Sequence, residues 1–558
     1  MTPAPDEPPT LSLSLGPLQA QVDARLDEWR QQRFSERLWR KDPRLWAAEE
    51  VPELTDRLGW LDLPHAMAGE LASLERLALG LRRDGVREVV LLGMGGSSLA
   101  PEVFERTFGS APEHPNLRIL DTTHPEAIRS LAESLDPATT SFLVSSKSGT
   151  TTETLSLLSY FWEWAAEDLP EPGGRFVAIT DGGSPLAELA EERAFRAVLQ
   201  APSEVGGRFS ALSHFGLAPA AILGIDLRRL LEGARKMARR CSAEAPAGAN
   251  PGLLLGAVLA EAALAGRDKL TLLTTPSLDS FPDWIEQLVA ESTGKEGKGL
   301  LPVVREPAAD PSRYGADRLF IGLSVDGDGG QELEERARGL EGVGHPVARI
   351  RLRDRYDLGA EIFRWQVAVA AAGAALGVHP FNQPDVQLAK EMAARAMRGA
   401  ADTEAPEERL APVPSADSSF LGEAVEKWLA GCREGDYIAL QAYLAPSPET
   451  ERALARLQGC LLERTGCAST LGFGPRFLHS TGQLHKGGPD RGLFLQLLDR
   501  PPSDLAVPQA GHGFARLISA QAAGDADALA QRGRRLLRVD LGDRVADGLA
   551  KLLEAVCD

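Results

Sequence analysis

The chain has 558 residues, of which 43% are hydrophobic and 25% are charged, a composition typical of a globular protein. This length exceeds what one hydrophobic core usually supports, so two or three domains are expected. The formal net charge of −19 argues against nucleic acid or an anionic membrane as a partner. The apolar run closest to membrane-spanning length, Leu253–Ala265, is interrupted by Glu261.

The N-terminus and the cysteines indicate a cytoplasmic protein. Residues 1–6 lack the basic and apolar regions of a secretory signal. The five cysteines are an odd, scattered set without metal-ligand spacing. We therefore expect reduced cysteines, a cytoplasmic location and no metal site.

The predicted elements, taken in chain order, alternate strands with helices. Residues 1–16 are rich in proline and are expected to be disordered. Helices are then predicted at about 18–46, 67–81, 253–264, 359–376 and 384–398. Strands are predicted at about 88–92, 117–120, 141–144, 175–179, 270–274, 319–323 and 347–351. This alternation is typical of β-α-β units around a parallel sheet.

The predicted fold class is therefore α/β, with two three-layer αβα domains and a smaller C-terminal domain. A helical segment over 1–84 precedes the two larger domains, which span 85–225 and 226–398. Residues 399–418 are rich in proline and poor in apolar residues, as expected of a linker. The third α/β domain spans 419–558, with strands predicted at about 437–444, 493–498 and 536–539.

The most informative stretch is Phe142–Thr154, in which a short apolar strand ends in a run of hydroxyl residues. The hydroxyls belong to Ser145, Ser146, Ser148, Thr150, Thr151 and Thr152. Hydroxyls and free backbone N–H groups at a helix N-terminus favour a phosphate ester. A simple helix cap is the alternative, but one cap needs only one or two hydroxyls.

A second loop, in Val89–Leu99, leads from a strand through Gly93, Gly95 and Gly96 into a helix. It suits a sugar phosphate, a dinucleotide or a purely structural turn. Asp121, at the end of the next strand, occupies the place of a ribose-binding acid in a Rossmann unit. However, Ser98 stands at the third glycine position of that fingerprint, which favours a sugar phosphate.

The two loops resemble those of the sugar isomerase (SIS) domain, and four further segments narrow the resemblance to the phosphoglucose isomerase family. They are residues 205–210 (VGGRFS), 281–295 (FPDWIEQLVAESTGK), 380–390 (PFNQPDVQLAK) and 478–483 (LHSTGQ). The match covers about 85–395 and the displaced last segment. The layout is also similar to the isomerase half of transaldolase–phosphoglucose isomerase fusion proteins.

The resemblance implies two SIS-type domains and an enzyme that interconverts glucose 6-phosphate and fructose 6-phosphate in glycolysis and gluconeogenesis. It implies a homodimer, a sugar phosphate as the only small-molecule partner, and no cofactor. The reaction needs an acid and a base to open the sugar ring, a carboxylate to move a proton between C2 and C1, and a cation for the enediolate.

The resemblance assigns these roles to particular residues. Glu291 is the base and Arg208 holds the enediolate charge, while His479 and Lys390 open the ring. Glu153 and Gln287 contact or orient the sugar. The phosphate-binding set is Gly95, Gly96, Ser97, Ser146, Lys147, Ser148 and Thr151.

The ring-opening histidine departs from the family pattern. The family places it between the base and the lysine, yet residues 298–325 contain no histidine. The matching segment follows the lysine, so His479 is the first candidate and His485 the second. This requires the third domain to fold over the site, from the same chain or from a partner subunit.

Two other functions stay open from the sequence. A non-catalytic SIS-type regulator would use the same hydroxyl loop, and a Rossmann-type dehydrogenase would use the glycine turn. Mannose 6-phosphate is also a possible additional substrate, because the pocket shape decides the stereochemistry at C2.

Overall fold

The computed structural model describes residues 10–49, 51–385, 392–393, 397 and 411–557. These residues form three α/β units, each built on a five-stranded sheet. The strands are β1 (Thr10–Ser14), β2 (Glu88–Gly93), β3 (Asn116–Leu120), β4 (Thr140–Ser145), β5 (Phe176–Asp181), β6 (Ala197–Ala201), β7 (Lys269–Thr274), β8 (Leu301–Val303), β9 (Arg318–Val325), β10 (Val347–Leu352), β11 (Val413–Pro414), β12 (Tyr437–Tyr443), β13 (Ala468–Phe473), β14 (Gly492–Leu498) and β15 (Arg535–Asp540).

The helices pack around these sheets, and no described helix is long and apolar enough to cross a membrane. They are α1 (Gln19–Gln31), α2 (Phe34–Trp39), α3 (Leu63–Ala66), α4 (Leu71–Arg83), α5 (Leu99–Phe108), α6 (Pro125–Glu133), α7 (Thr152–Ala166), α8 (Pro185–Glu192), α9 (His214–Ile222), α10 (Leu227–Arg240), α11 (Pro251–Leu264), α12 (Phe281–Thr293), α13 (Gly330–Gly342), α14 (Leu358–Leu376), α15 (Ser418–Leu429), α16 (Pro448–Thr465), α17 (Gly482–Gly487), α18 (Phe514–Gln531) and α19 (Val545–Cys557).

The first sheet has five parallel strands in the order β3-β2-β4-β5-β6. Its chain order reverses between β2 and β4, where Gly93 lies opposite Ser145. Crevices at such a reversal, outside the carboxyl ends of the strands, are where open α/β sheets bind ligands. The loops after β2 and β4 therefore lie side by side at the expected binding edge.

The second and third sheets repeat this plan. Their orders are β1-β10-β9-β7-β8 and β11-β15-β14-β12-β13, with β7 and β12 in the place that β2 occupies in the first sheet. In each sheet the next strand along the chain pairs with one side of this strand (β2, β7 or β12), and the strand after that pairs with its other side. The predicted α/β class with parallel sheets is confirmed.

The predicted disorder of the first sixteen residues is wrong for Thr10–Ser14, which form β1. This strand pairs antiparallel with β10 at the edge of the second sheet. Leu11 and Leu13 alternate with more exposed residues and pack on the core. The formation of such a short edge strand depends on pairing with β10, which is distant in the sequence. The proline-rich composition therefore did not reveal it.

Other boundaries also differ from the prediction. The helix expected over 18–46 is divided at Arg33, whose φ of 55° ends α1 and starts α2. Four short strands, β6, β8, β11 and β13, had not been predicted. Most of the helix expected over 384–398 lies outside the described residues.

The expectation that all cysteines are reduced is wrong for one pair. Cys460 on α16 and Cys557 at the end of α19 form a disulfide, and they are 97 residues apart in the sequence. The pairing follows from the packing of α16 against α19, which spacing along the chain does not reveal.

The C-terminal unit (residues 411–557) packs against both larger units. Phe514 and Leu517 enter the core of the first unit, and Phe494 and Leu484 contact a cluster that includes Ala290 of α12. Between the units, His124 Nε2 lies 3.0 Å from Asp499 Oδ2. This docking places residues 476–487 over the binding edge of the first sheet.

Candidate active site

The turn after β2 brings four segments of the chain together. Gly95 has a φ of +55°, and a Cβ there would lie 2.7 Å from the carbonyl oxygen of His479 and 2.8 Å from Gln287 Nε2. A Cβ on Gly96 would lie 2.1 Å from the carbonyl oxygen of Gly207. The missing side chains therefore let the histidine segment, α12 and the Arg208 turn meet at one point.

Gly96→Ala should consequently disrupt the site. Backbone atoms surround the added methyl group on the side of Gly207, so no side-chain rotation can relieve the clash. The resulting displacement of about 1 Å should lower kcat by about 10²-fold. Steady-state kinetics would measure this, with Gly174→Ala as the control, since a Cβ at Gly174 meets nothing within 4 Å. Unchanged kinetics for Gly96→Ala would contradict the proposed meeting of the turns.

The hydroxyl loop (residues 145–152) follows β4 and leads into α7. Ser146 Oγ and Thr151 Oγ1 are 3.0 Å apart, and Ser145 Oγ donates to the carbonyl oxygen of Ser97 at 3.1 Å. Thr151 is the N-cap of α7, yet its side chain makes no capping hydrogen bond within the described chain. A simple helix cap therefore does not explain the hydroxyls, which lie beside the first-turn N–H groups.

Two members of the predicted phosphate-binding set, Lys147 and Ser148, are more exposed than Ser97 and Ser146. The Lys147 ammonium pairs with Asp181 and donates to the carbonyl oxygen of Ser203 at 3.2 Å. Ser148 is exposed, and its Oγ lies 2.9 Å from Thr150 Oγ1. Ser97 and Ser146 are buried.

Glu291 lies in the last turn of α12, where its side chain is buried beside Arg208. Its Oε2 accepts a hydrogen bond of 3.0 Å from Arg208 Nη1, and its Oε1 accepts one of 3.3 Å from Gln287 Nε2. Burial raises the pKa of Glu291, and the opposite charge of Arg208 limits that rise. The carboxylate is therefore a stronger base than an exposed glutamate.

Arg208 is held from several sides. Nε donates to Ser292 Oγ at 2.8 Å, and Nη2 donates to the carbonyl oxygens of Pro380 and Asn382 at 2.6 and 2.9 Å. With the bond to Glu291, four of its five N–H groups have partners in the described chain, and one N–H on Nη1 is left. The guanidinium is thus a fixed cation beside the base.

His479 lies beside the glycine turn, where its backbone approaches Gly95. Its Nε2 is 3.0 Å from Glu153 Oε1, and its backbone carbonyl accepts a 2.8 Å hydrogen bond from Gln287 Nε2. His479 and Glu153 belong to the same chain, so the C-terminal unit reaches the site within that chain. Lys390, the other predicted ring-opening residue, lies outside the described residues.

The second histidine candidate, His485, lies in the interior of the C-terminal unit. Its ring centroid is 5.1 Å from that of Phe494, and burial holds its pKa well below the usual value. The geometry favours His479 over His485 as the acid–base group.

Three groups near the site, Gln521, Glu286 and Lys295, were missed by the sequence analysis. Gln521 Nε2 donates to Glu153 Oε1 at 2.7 Å, Ser480 Oγ donates to Glu286 Oε1 at 3.1 Å, and the Lys295 ammonium donates to the carbonyl oxygen of His379. Burial lowers the pKa of Lys295 well below its usual value. Glu286 and Lys295 belong to the matched α12 segment and could have been noticed there. Gln521 lies in an alanine-rich helix without any motif.

Glu286 should make the protein less stable at alkaline pH. Burial, with Asp283 nearby, raises its pKa to about 8, so the folded protein holds this proton more tightly than the unfolded chain does. The stabilisation is complete below the ordinary carboxyl pKa and is lost as the pH rises through about 8. Glu286→Gln should therefore gain about 4 kcal/mol over the wild type between pH 5 and pH 9. Denaturant unfolding would test this, and an equal pH dependence of both proteins would contradict it.

The fold and this arrangement define a SIS-type α/β protein with buried acids, a fixed arginine and a hydroxyl loop. A family model described as phosphoglucose isomerase matches residues 78–300. A glucose-6-phosphate isomerase of Rubrobacter xylanophilus is 31% identical over 398 residues, which are 63% of this chain and 91% of that protein. The chain therefore belongs to the phosphoglucose isomerase family.

Solved structures agree with this assignment of the fold. A hypothetical protein of Thermus thermophilus is 28% identical and superposes with a TM-score of 0.61, covering 70% of this chain and 100% of that one. A glucose-6-phosphate isomerase of Chlamydia trachomatis is 19% identical with a TM-score of 0.54, covering 70% of this chain and 87% of that chain, and it shares the fold.

Proposed function

We propose that this protein is an enzyme that interconverts glucose 6-phosphate and fructose 6-phosphate through an enediolate. The observation that carries the proposal is the buried pair of Glu291 and Arg208, which Gln287 connects to the backbone of His479 beside the glycine turn. An aldose–ketose isomerisation requires a base, a fixed cation and a ring-opening acid–base group at one point, and these residues supply them.

The phosphate would bind at the edge where β2 and β4 end. Ser97, Ser146 and Thr151 would supply hydroxyls, and the first turn of α7 would add backbone N–H groups and its positive dipole end. Such a neutral site suits a chain whose overall charge is −19, because fixed dipoles attract the dianion where the global field does not.

Ring opening would involve His479. The ring opens when the anomeric hydroxyl loses a proton and the ring oxygen gains one. His479 Nε2 faces Glu153, so Nδ1 is the nitrogen that can exchange a proton with the sugar. The Glu153 carboxylate would orient the imidazole.

Proton transfer would then use Glu291. The carboxylate takes the proton from C2 and returns it to C1 on the same face of the enediolate. Its raised pKa improves its strength as a base. The charge that develops on the enediolate oxygens would be stabilised by Arg208, which keeps one Nη1 N–H as a donor.

The two other functions considered from the sequence are not favoured. Asp121, the candidate ribose-binding acid of a dehydrogenase, is occupied: its Oδ2 accepts from Ser98 Oγ at 3.1 Å and lies 3.0 Å from Arg476 Nη1. A non-catalytic regulator would not need the desolvated Glu291–Arg208 pair, because burying two charges costs free energy that binding alone does not require.

The direct test is an assay of the full-length protein with fructose 6-phosphate, in which glucose 6-phosphate formation is followed by ¹H NMR. We expect turnover without added cofactor or metal. Sugar-phosphate binding without turnover would instead support the regulator, and nicotinamide-dependent absorbance changes would support the dehydrogenase. The same spectra would show whether mannose 6-phosphate forms.

We further propose a cytoplasmic homodimer that does not bind nucleic acid, as the family resemblance implies. Since His479 reaches Glu153 within one chain, the described part of the site needs no partner subunit. Sedimentation analysis would measure the oligomeric state, and a monomer with full activity would contradict a required dimer.

A further inference from the structure

Gln521 connects the C-terminal unit to the ring-opening pair. It lies on α18 and is 5% exposed. Its Nε2 donates to Glu153 Oε1 at 2.7 Å, the same oxygen that lies 3.0 Å from His479 Nε2. Its Oε1 accepts a 2.8 Å hydrogen bond from Thr123 Oγ1, in the loop between β3 and α6.

The Glu153 carboxylate, which can only accept hydrogen bonds, determines which end of the Gln521 amide faces it, and Thr123 then donates to the other end. A threonine hydroxyl that donates to the amide oxygen leaves the NH₂ group directed at the carboxylate. If the amide were reversed, the amide oxygen of Gln521 would face the carboxylate oxygen of Glu153 at hydrogen-bond distance, with no hydrogen between them. The orientation of Gln521 is therefore set by a hydrogen-bond network rather than by shape alone.

The amide affects Glu153 in two ways. A hydrogen bond to the charged form of a carboxyl group stabilises that form, which matters because Glu153 is buried. The same bond fixes the rotation of the carboxylate and hence the direction of the His479 ring. Gln521 and His479 both come from the C-terminal unit, so this unit supplies the imidazole and also the group that holds its partner.

We propose that Gln521 is a positioning residue for ring opening, acting on His479 through Glu153. This inference rests on the proposed isomerase function. Without the amide, Glu153 would lose a donor that helps to set its rotation, and ring opening would become the slow step. Proton transfer by Glu291 would be unchanged, because Gln521 makes no described contact with Glu291.

The test is Gln521→Leu in the full-length protein, with glucose 6-phosphate carrying deuterium at C2 as a second substrate. We expect kcat to fall about 10- to 100-fold while KM changes less than about 3-fold. The primary isotope effect on kcat should fall toward one, because ring opening no longer outpaces C2–H cleavage. Gln531→Leu, at an exposed site on the same helix, is the control and should behave as the wild type.

Two further variants separate positioning from damage to the fold. Thr123→Val keeps the amide but removes the donor to its oxygen, so it should shift the isotope effect in the same direction by a smaller amount. The double variant Thr123→Val/Gln521→Leu replaces both members of a buried hydrogen bond by apolar groups, which usually preserves stability.

The outcomes separate the positioning role of Gln521 from the isomerase function on which it rests. A lower kcat with an unchanged isotope effect in Gln521→Leu and in the double variant would overturn the positioning role and leave the isomerase function intact. A wild type that converts neither hexose phosphate would overturn both.

Discussion

Glu291→Gln should reduce isomerisation by about 10⁴-fold while ring opening continues. Glutamine keeps the size of the side chain and can still contact Arg208 and Gln287, but it cannot accept the C2 proton. Ring opening alone interconverts the two anomers of glucose 6-phosphate without any transfer between C2 and C1. Exchange NMR would measure the anomer interconversion, and the fructose 6-phosphate signal would measure isomerisation in the same sample.

The matched control is Glu296→Gln, five residues further along the chain. Glu296 is exposed, so the substitution removes the same charge without entering the site. We expect wild-type turnover from this control. If Glu291→Gln isomerised glucose 6-phosphate at a rate near that of the wild type, another group would have to be the base.

His479→Gln should show the complementary defect. Without an imidazole the sugar ring opens slowly. Both anomer interconversion and isomerisation from the cyclic sugar should therefore decrease by about 10²- to 10³-fold. The isotope effect from deuterium at C2 should approach one, since C2–H cleavage no longer limits the rate. In Glu291→Gln, in contrast, any residual isomerisation should keep a full isotope effect.

His65→Gln is the control for this variant, because His65 is exposed on α3, outside the site. His485→Gln adds a second comparison, as it tests the other candidate directly. If His485→Gln lost anomer interconversion and His479→Gln retained it, the assignment from geometry would be reversed.

Several features could be predicted from the sequence because they depend on neighbouring residues. The strands β2, β4 and β5 are apolar runs that end in turn residues, and all three were predicted within two residues of their observed bounds. The hydroxyl loop and the glycine turn were likewise recognisable from their composition. Glu291 was placed by the segment around it, and its burial is consistent with the apolar helix that carries it.

Other features depend on contacts between distant parts of the chain. His479 and Gln521 lie 326 and 368 residues from Glu153 in the sequence, so no local pattern relates them. The strand β1 and the disulfide of Cys460 with Cys557 are missed for the same reason.

The sequence by itself therefore determined the α/β class and the two loops, because periodicity and turn chemistry act over a few residues, and its resemblance to a family supplied the candidate base. Only the tertiary structure placed His479, rather than His485, beside Glu153 within one chain. That choice depends on how the C-terminal unit packs against the first two. The free energy of this packing is the sum of many long-range contacts, which the short motif around His479 does not specify.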